Sequence, residues 1–328
     1  MMAVRTLIEG IREAMSEEME RDERVMVLGE DVGRKGGVFL ATDGLYAKFG
    51  ESRVLDTPLA ESMIVGVAIG AALNGLIPIA EIQFADFIHP AFDQIVSEAA
   101  RIRYRSNGDF SCPIVVRAPY GGGVHGGLYH SQSVEAFYAH VPGLKVVMPS
   151  TPEDAKGLLK SAVRDPDPVM YFEHKKTYRL IKGEIPEGDY LTPIGPAAIR
   201  REGTNVSCFA WGLMVHHALA AAEELATEGV SVEVIDLRTL RPLDTETILK
   251  SVRKTGKALI VHEDNLTGGF GAEIAAIIAQ EAFEDLDGPV VRVAAPDIPG
   301  MPFNKPQEDF FMPNPEKIAG AIRKLARY

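Results

Sequence analysis

Short apolar runs alternate with helical segments along almost the whole chain, and this alternation is the strongest constraint on its fold. The helical segments carry apolar residues at three- and four-residue steps, and they predict helices over 3–22, 61–73, 90–105, 133–140 and 152–163. The runs between them predict strands over 25–28, 77–84, 113–118, 144–148 and 169–172. Strands that are apolar on both faces and alternate with helices are typical of a parallel sheet covered by helices.

The alternation is interrupted once and then resumes. From about residue 174 the chain is rich in Lys, Pro, Gly and Glu without apolar periodicity, which predicts a linker. Beyond it the pattern predicts strands over 206–210, 230–236, 257–262 and 290–294, and helices over 213–227, 244–254, 270–284 and from 315 onward. We therefore predict an α/β protein of two parallel-sheet domains, with residues 1–175 and 196–328 joined by a linker over 176–195.

Composition narrows the class of function. The chain has 328 residues and a formal net charge of −12, so it is long enough for two domains and too acidic to be a general nucleic-acid binder. Its two cysteines form no disulfide framework or metal clip. The sequence shows neither a membrane-spanning run nor a targeting segment, which predicts a cytoplasmic protein that binds neither nucleic acid nor membrane.

Ligands of open α/β sheets gather at the loops that follow the carboxyl ends of strands, and Glu61 is the most informative residue in such a loop. It ends the segment Asp-Thr-Pro-Leu-Ala-Glu and begins a helix that carries Gly66 and Gly70. An ionised carboxylate there would cap the helix amides. Held among apolar side chains such as Leu59, Met63 and Ile64, it would instead have a raised pKa and could share a proton with a heterocycle nitrogen. The residues alone leave both interpretations open. Glu30 is a similar case, with a solvated loop acid as the alternative.

A glycine-rich loop over 121–127 precedes His130, a residue type that exchanges protons near neutral pH. An exposed histidine without a function remains open as the simpler interpretation. A serine hydrolase is excluded because adjacent His130 and Ser131 point apart and the chain has no Gly-x-Ser-x-Gly elbow. The loop also lacks the Gly-Lys-Ser/Thr of a nucleotide-binding P-loop, and the histidines show no zinc spacing.

Five motifs in this order resemble those of one family. They are Leu-Gly-Glu-Asp-Val at 28–32, Asp-Thr-Pro-Leu-Ala-Glu at 56–61, Glu-Ile-Gln-Phe-Ala-Asp-Phe at 81–87, Tyr-His-Ser-Gln-Ser at 129–133 and Thr-Gly-Gly-Phe-Gly-Ala-Glu at 267–273. The chain resembles the beta subunit of the thiamine diphosphate-dependent, decarboxylating component of 2-oxo acid dehydrogenase complexes. It is most similar to the branched-chain members, with pyruvate and acetoin members close behind. The resemblance implies a pyrimidine-binding domain followed by a transketolase C-terminal-like domain.

The resemblance also implies roles for individual residues. Glu61 would hydrogen-bond the pyrimidine ring and help to activate the cofactor, and His130 would pass a proton during reductive acylation of the lipoyl group. The pyrimidine pocket would be lined by Glu30, Leu59, Ala60, Glu61, Gln83 and Phe87. The substrate side would be bordered by Phe84, Ala85, Asp86, Tyr129 and His130. Phe87 stands where many members have Tyr, so a hydroxyl is missing there.

The family's metals and partners are implied in the same way. A structural potassium ion, held through backbone oxygens and an acid, would correspond to Ile114, Ala162, Val163, Asp165 and Asp167, the last in place of a common Asn. Magnesium and the diphosphate need a Gly-Asp-Gly motif followed by Asn, which this chain lacks and the alpha subunit supplies. We therefore expect an α2β2 heterotetramer bound to a lipoyl acyltransferase core. The alternative is a non-catalytic assembly subunit, whereas a stand-alone transketolase-like enzyme is disfavoured by the missing motif.

Overall fold

The computed structural model describes residues 3–328, which form two compact units. The first contains residues up to 120 together with 137–194, and the second contains 121–136 together with 195–328. Residues 1 and 2, where the first predicted domain begins, lie outside the described range. Across residues 3–328, no helix combines the length and the apolar character needed to cross a membrane.

The first unit is built on a parallel sheet. Up to residue 194 the strands are β1 (Ala3–Thr6), β2 (Val25–Gly29), β3 (Val54–Asp56), β4 (Ile77–Glu81), β5 (Val115–Tyr120), β6 (Lys145–Val147), β7 (Val169–His174) and β8 (Lys182–Ile185). The helices are α1 (Leu7–Arg21), α2 (Leu45–Phe49), α3 (Glu61–Leu73), α4 (Ile102–Arg105), α5 (Glu135–Ala139), α6 (Pro152–Val163) and α7 (Thr177–Leu180). Within the unit the strand order is β6-β7-β5-β4-β2-β3, and every neighbouring pair is parallel.

Capping fixes where two long helices of this unit begin. Thr6 accepts a hydrogen bond from the amide of Glu9, whose side chain accepts from the Thr6 amide in return, so the two form a capping box for α1. Thr151 caps α6 through the amide of Asp154, with Pro152 at the first helical position. Both helices bury an apolar stripe in one core with β2, β4, β5 and β7.

The second unit repeats the layered plan on a smaller sheet. Its strands are β9 (Ala198–Arg201), β10 (Val206–Ala210), β11 (Val232–Asp236), β12 (Thr239–Arg241), β13 (Ala258–Asn265) and β14 (Val291–Ala295). Its helices are α8 (Leu213–Ala226), α9 (Thr245–Thr255), α10 (Gly271–Glu281), α11 (Lys305–Phe311) and α12 (Pro315–Leu325). The order is β14-β13-β10-β11-β9, parallel except for the antiparallel edge strand β9. The predicted α/β class is therefore confirmed.

Three segments differ from the sequence prediction. The helix predicted over 3–22 begins only at Leu7, because residues 3–6 pair with β8 as an antiparallel ribbon. The helix predicted over 90–105 is helical throughout but irregular, with a π-helical turn over Gln94–Glu98 and a 3-10 turn over Ala99–Arg101 before the regular α-helix at Ile102–Arg105. The segment 176–195 contains α7 and β8, and residues up to Ile194 belong to the first unit, where β8 pairs with β1.

Candidate functional site

Three neighbouring strands of the first unit carry most of the predicted pocket residues at their carboxyl ends. β2 lies between β3 and β4, and Gly29 is in register with both Asp56 and Glu81. Glu30, the loop 57–60 and Gln83 consequently leave the sheet at one edge. Asp56 fastens this edge, since its Oδ1 accepts the amide of Gly33 at 2.6 Å. This hydrogen bond between the two loops was not predicted, although Asp56 begins the motif at 56–61.

Glu61 lies in the first turn of α3 and is buried, with only 9% of the residue exposed. The preceding Ala60 makes no side-chain cap, so the first amides of the helix have no N-cap partner. Leu59 is 69% exposed and Met63 37% exposed, so the apolar surroundings expected for Glu61 are present only in part. A carboxylate beside an exposed leucine suits the edge of a heteroaromatic ring.

Glu30 lies close enough to Glu61 for their charges to interact. Burial, followed by the carboxylates of Asp31 and Glu61, raises the pKa of Glu30 above its ordinary value. The side-chain amide of Gln83 donates to the backbone oxygen of Glu30 at 3.4 Å. The structure thus brings Glu30, Glu61 and Gln83 into one neighbourhood, where acid, amide and backbone groups can bind a nitrogen heterocycle.

An aromatic segment follows Gln83. Phe84 and Phe87 are 5.5 Å apart between ring centroids in an edge-to-face arrangement, on either side of a tight turn that contains Ala85 and Asp86. Ala85 is fully buried, whereas Phe84 and Phe87 are partly exposed. The ammonium of Lys175 lies 5.7 Å from the Phe84 ring centroid. This segment can offer ring faces and one carboxylate to a bound molecule.

A buried ion network lies within the sheet that carries these loops. Arg117 on β5 donates to Glu81 on β4 at 2.6 Å and to both oxygens of Glu173 on β7 at 2.6 and 2.8 Å. Tyr178 adds a 2.5 Å hydrogen bond to Glu173. Burial and the second carboxylate raise the pKa of Glu81, and the charge of Arg117 opposes that rise. The network ties together the strands that carry the site, and the sequence analysis did not find it.

Tyr129 and His130 belong to a different compact unit from the other predicted residues. They lie in the segment 121–136, which belongs to the second unit. Both side chains are exposed, Tyr129 by 69%. A Cβ atom added to Gly126 would lie 2.7 Å from the His130 carbonyl oxygen and 2.9 Å from its Cβ. His130 is therefore carried by a tightly packed loop rather than by a freely moving one.

The second unit also buries a carboxyl group that has few hydrogen-bond partners. Glu135 accepts a hydrogen bond from the indole of Trp211 at 3.0 Å, while its second oxygen is buried without a partner. Burial and the charge of Asp264 raise the pKa of Glu135 well above its ordinary value of 4.5. The imidazole of His262 stacks on Trp211 with ring centroids 5.4 Å apart, and burial lowers its pKa to about 4.

The raised pKa of Glu135 predicts a pH-dependent stability. The folded protein keeps a proton that the unfolded chain releases above its lower pKa, so stability falls as pH rises between the two values, by at most about 1.4 kcal/mol per pH unit. Glu135→Gln removes this loss and keeps an oxygen for Trp211. We expect the variant to gain stability over the wild type at pH 7.5 and to gain less at pH 5, measured by chemical denaturation. Glu223→Gln, on the exposed face of α8, should show no such difference.

The two carboxylates matched to a potassium ion have cationic side chains as partners, and the potassium site stays a prediction. Both oxygens of Asp165 bind the ammonium of Lys145, at 2.5 and 2.6 Å. Asp167 pairs with Arg103 at 2.5 Å, and the Ile114 carbonyl accepts the amide of Val169. Ala162 and Val163 contribute buried apolar side chains from the end of α6. Residues 3–328 also hold no cluster of metal-ligating side chains. Lys145 thus supplies the positive charge at Asp165, and Arg103 supplies it at Asp167.

Comparison with known proteins identifies the class of fold. The family model described as the transketolase pyrimidine-binding domain matches residues 4–181, and the model for the transketolase C-terminal domain matches residues 195–318. A solved structure, "Split gene transketolase, inactive beta4 tetramer", is similar with a TM-score of 0.80, 25% identity and 98% coverage of both chains. The chain therefore has the architecture of the transketolase-type, thiamine diphosphate-dependent proteins.

Sequence relatives narrow that class further. The chain is 63% identical to the 2-oxoisovalerate dehydrogenase subunit beta of Bacillus subtilis over the full length of both proteins. It is 48% identical to the pyruvate dehydrogenase E1 component subunit beta of the same organism, again over both full lengths. The chain belongs to the family of beta subunits of 2-oxo acid dehydrogenases, and as such is an oxidoreductase component of a multi-subunit complex.

Proposed function

We propose that this chain, paired with an alpha subunit, decarboxylates a branched-chain 2-oxo acid and transfers the acyl group to the lipoyl group of an acyltransferase. The observation that carries the substrate assignment is the higher identity to the 2-oxoisovalerate relative, 63% against 48% for the pyruvate relative. The pyruvate or acetoin members remain the second candidate, because a site separates homologous acyl chains by only about 1–3 kcal/mol per methylene.

The site geometry supports a bound pyrimidine. Glu61, Glu30 and Gln83 can hold a nitrogen heterocycle, Leu59 and Phe87 can contact its faces, and Ala60 places Glu61 at the start of α3. Thiamine diphosphate bound there would supply the electron sink for decarboxylation. Glu61 would hold a proton at a ring nitrogen, while Phe84, Ala85, Asp86 and Tyr129 would border the substrate and His130 would move a proton at the acyl-accepting side.

An alpha subunit would complete the site. The chain has no Gly-Asp-Gly…Asn motif, and its described residues hold no metal-ligating cluster, so we assign magnesium and the diphosphate to the partner. Helix α3 is apolar on all sides yet leaves Met63, Val67 and Leu73 exposed. A helix that is apolar all round is normally buried, which favours an assembled state such as α2β2.

The test is to purify the beta chain alone and together with its alpha subunit. We expect magnesium-dependent thiamine diphosphate binding and release of carbon dioxide only from the pair, with 3-methyl-2-oxobutanoate preferred over pyruvate. Tight cofactor binding by the beta chain alone would contradict the divided site. A non-catalytic assembly subunit is distinguished by His130→Ala, which would then leave lipoyl acylation intact, whereas a catalytic subunit would lose most of it.

A further inference from the structure

The loop that carries His130 has little regular structure of its own. Between β5 and the turn at 127–129, the backbone has positive φ at Gly121, Gly123, His125 and Gly127. Such a chain has many accessible conformations, and its amides find no partner in a sheet or helix. The position of His130 therefore depends on whatever accepts these amides.

Glu308 on α11 accepts two of them. Its Oε1 accepts the amides of Gly123 at 2.8 Å and His125 at 3.2 Å, and its Oε2 lies 2.7 Å from Nδ1 of the His125 ring. The Glu308 side chain is only 2% exposed. A buried carboxylate is costly unless its oxygens are hydrogen-bonded, and here both oxygens bind a single loop about 185 residues away in sequence.

Glu263 fastens the same loop from β13. Its Oε1 accepts the amide of Gly122 at 2.6 Å and lies 3.5 Å from the hydroxyl of Ser133. The loop also closes on itself, since the amide of Gly121 donates to the carbonyl of Gln132 at 3.0 Å. Two buried carboxylates, Glu263 on β13 and Glu308 on α11, thus accept the amides of the loop that leads to His130.

The packing of Gly126 links this anchoring to His130. Gly126 follows His125 directly and lies against the backbone and Cβ of His130, where no side chain would fit without displacing it. A shift of His125 is therefore passed to His130 through one residue. We infer that Glu308 is a positioning residue, which, with Glu263, holds the glycine-rich loop so that His130 is presented to the acyl-accepting group. This inference rests on the proposed function.

The experiment uses Glu308→Gln in the beta chain, reconstituted with its alpha subunit. We expect reductive acylation of a lipoyl domain to fall at least tenfold, while carbon dioxide release to an artificial electron acceptor stays within about twofold of the wild type. His130→Ala should give the same selective pattern. Amides of the peptide 121–133 should exchange hydrogen faster in Glu308→Gln. Asp309→Asn is the matched control, because Asp309 lies on the same helix and is exposed, with Lys305 as an ion-pair partner.

Two results for Glu308→Gln would overturn the inference. The first is wild-type lipoyl acylation with wild-type hydrogen exchange of the peptide 121–133. The second is an equal fall in lipoyl acylation and carbon dioxide release together with a lower melting temperature, because that combination indicates a purely structural role. If Glu308→Gln does not fold, His125→Asn decides. It removes only the ring contact and tolerates the positive φ, so we expect a smaller selective loss, and wild-type acylation would overturn the inference. An inactive wild-type pair would contradict the proposed function instead, which keeps the two failures apart.

Discussion

Exchanging Glu61 for Gln should slow carbon dioxide release by the reconstituted pair at least about a hundredfold, because a positioned acid–base group contributes about 10²–10⁴-fold to a proton-transfer step. The amide of Gln has nearly the same shape as the carboxyl group of Glu, but it cannot transfer a proton to or from a ring nitrogen. Glu61 is well placed for that task, since it lies in the first turn of α3 beside Leu59 and near Glu30.

The measurement is the rate of carbon dioxide release at saturating thiamine diphosphate, so that weaker binding is not mistaken for slower chemistry. Glu51→Gln provides the control, because Glu51 is an exposed acid of the same unit outside the site. A Glu61→Gln pair that works at the wild-type rate would remove Glu61 from the reaction and leave Glu30 as the remaining acid of the proposed pyrimidine pocket.

Replacing Arg117 by Met should destabilise the first unit by about 3–5 kcal/mol, since it leaves the carboxylates of Glu81 and Glu173 buried without their cation. Arg117 is fully buried and holds strands β4, β5 and β7 together through both of its partners. We expect a correspondingly lower denaturation midpoint by urea, with the signal of the first unit changing first.

The matched control is Arg103→Met. Arg103 forms a half-exposed ion pair with Asp167, and such surface pairs contribute about 0–1 kcal/mol. Arg117→Lys should recover only part of the loss, because an ammonium cannot bind Glu173 with two parallel hydrogen bonds. Equal effects of Arg117→Met and Arg103→Met would show that the buried network contributes no more than a surface pair.

Local signals predicted the fold where they were strong. The helix over 152–163 was predicted with its observed bounds, since Thr151, Pro152 and two acids mark its beginning. The helix over 61–73 was also predicted correctly. The strand at residues 3–6 was not, because Val4, Leu7 and Ile8 continue the helical period. The spacing of Thr6 and Glu9 is a capping box and would have marked Leu7 as the first helical residue.

For the candidate site, too, the sequence predicted one part and missed another. The rule that ligands gather at strand ends predicted the loops of Glu30, Glu61 and Gln83, since alternating strands and helices form a parallel sheet whose strands all end at one edge. It did not predict what supports those loops. The contact between Glu308 and the loop before His130 joins residues about 185 positions apart, and no local periodicity encodes such a pair.

The antiparallel ribbon of β1 and β8 brings the strand that opens the first unit beside the strand that closes it. A module whose ends are neighbours can be joined to other polypeptides, or exchanged between them, without rerouting its interior. This ability to be joined to different polypeptides fits a pyrimidine-binding fold that is shared by a split-gene transketolase and by dehydrogenase beta subunits.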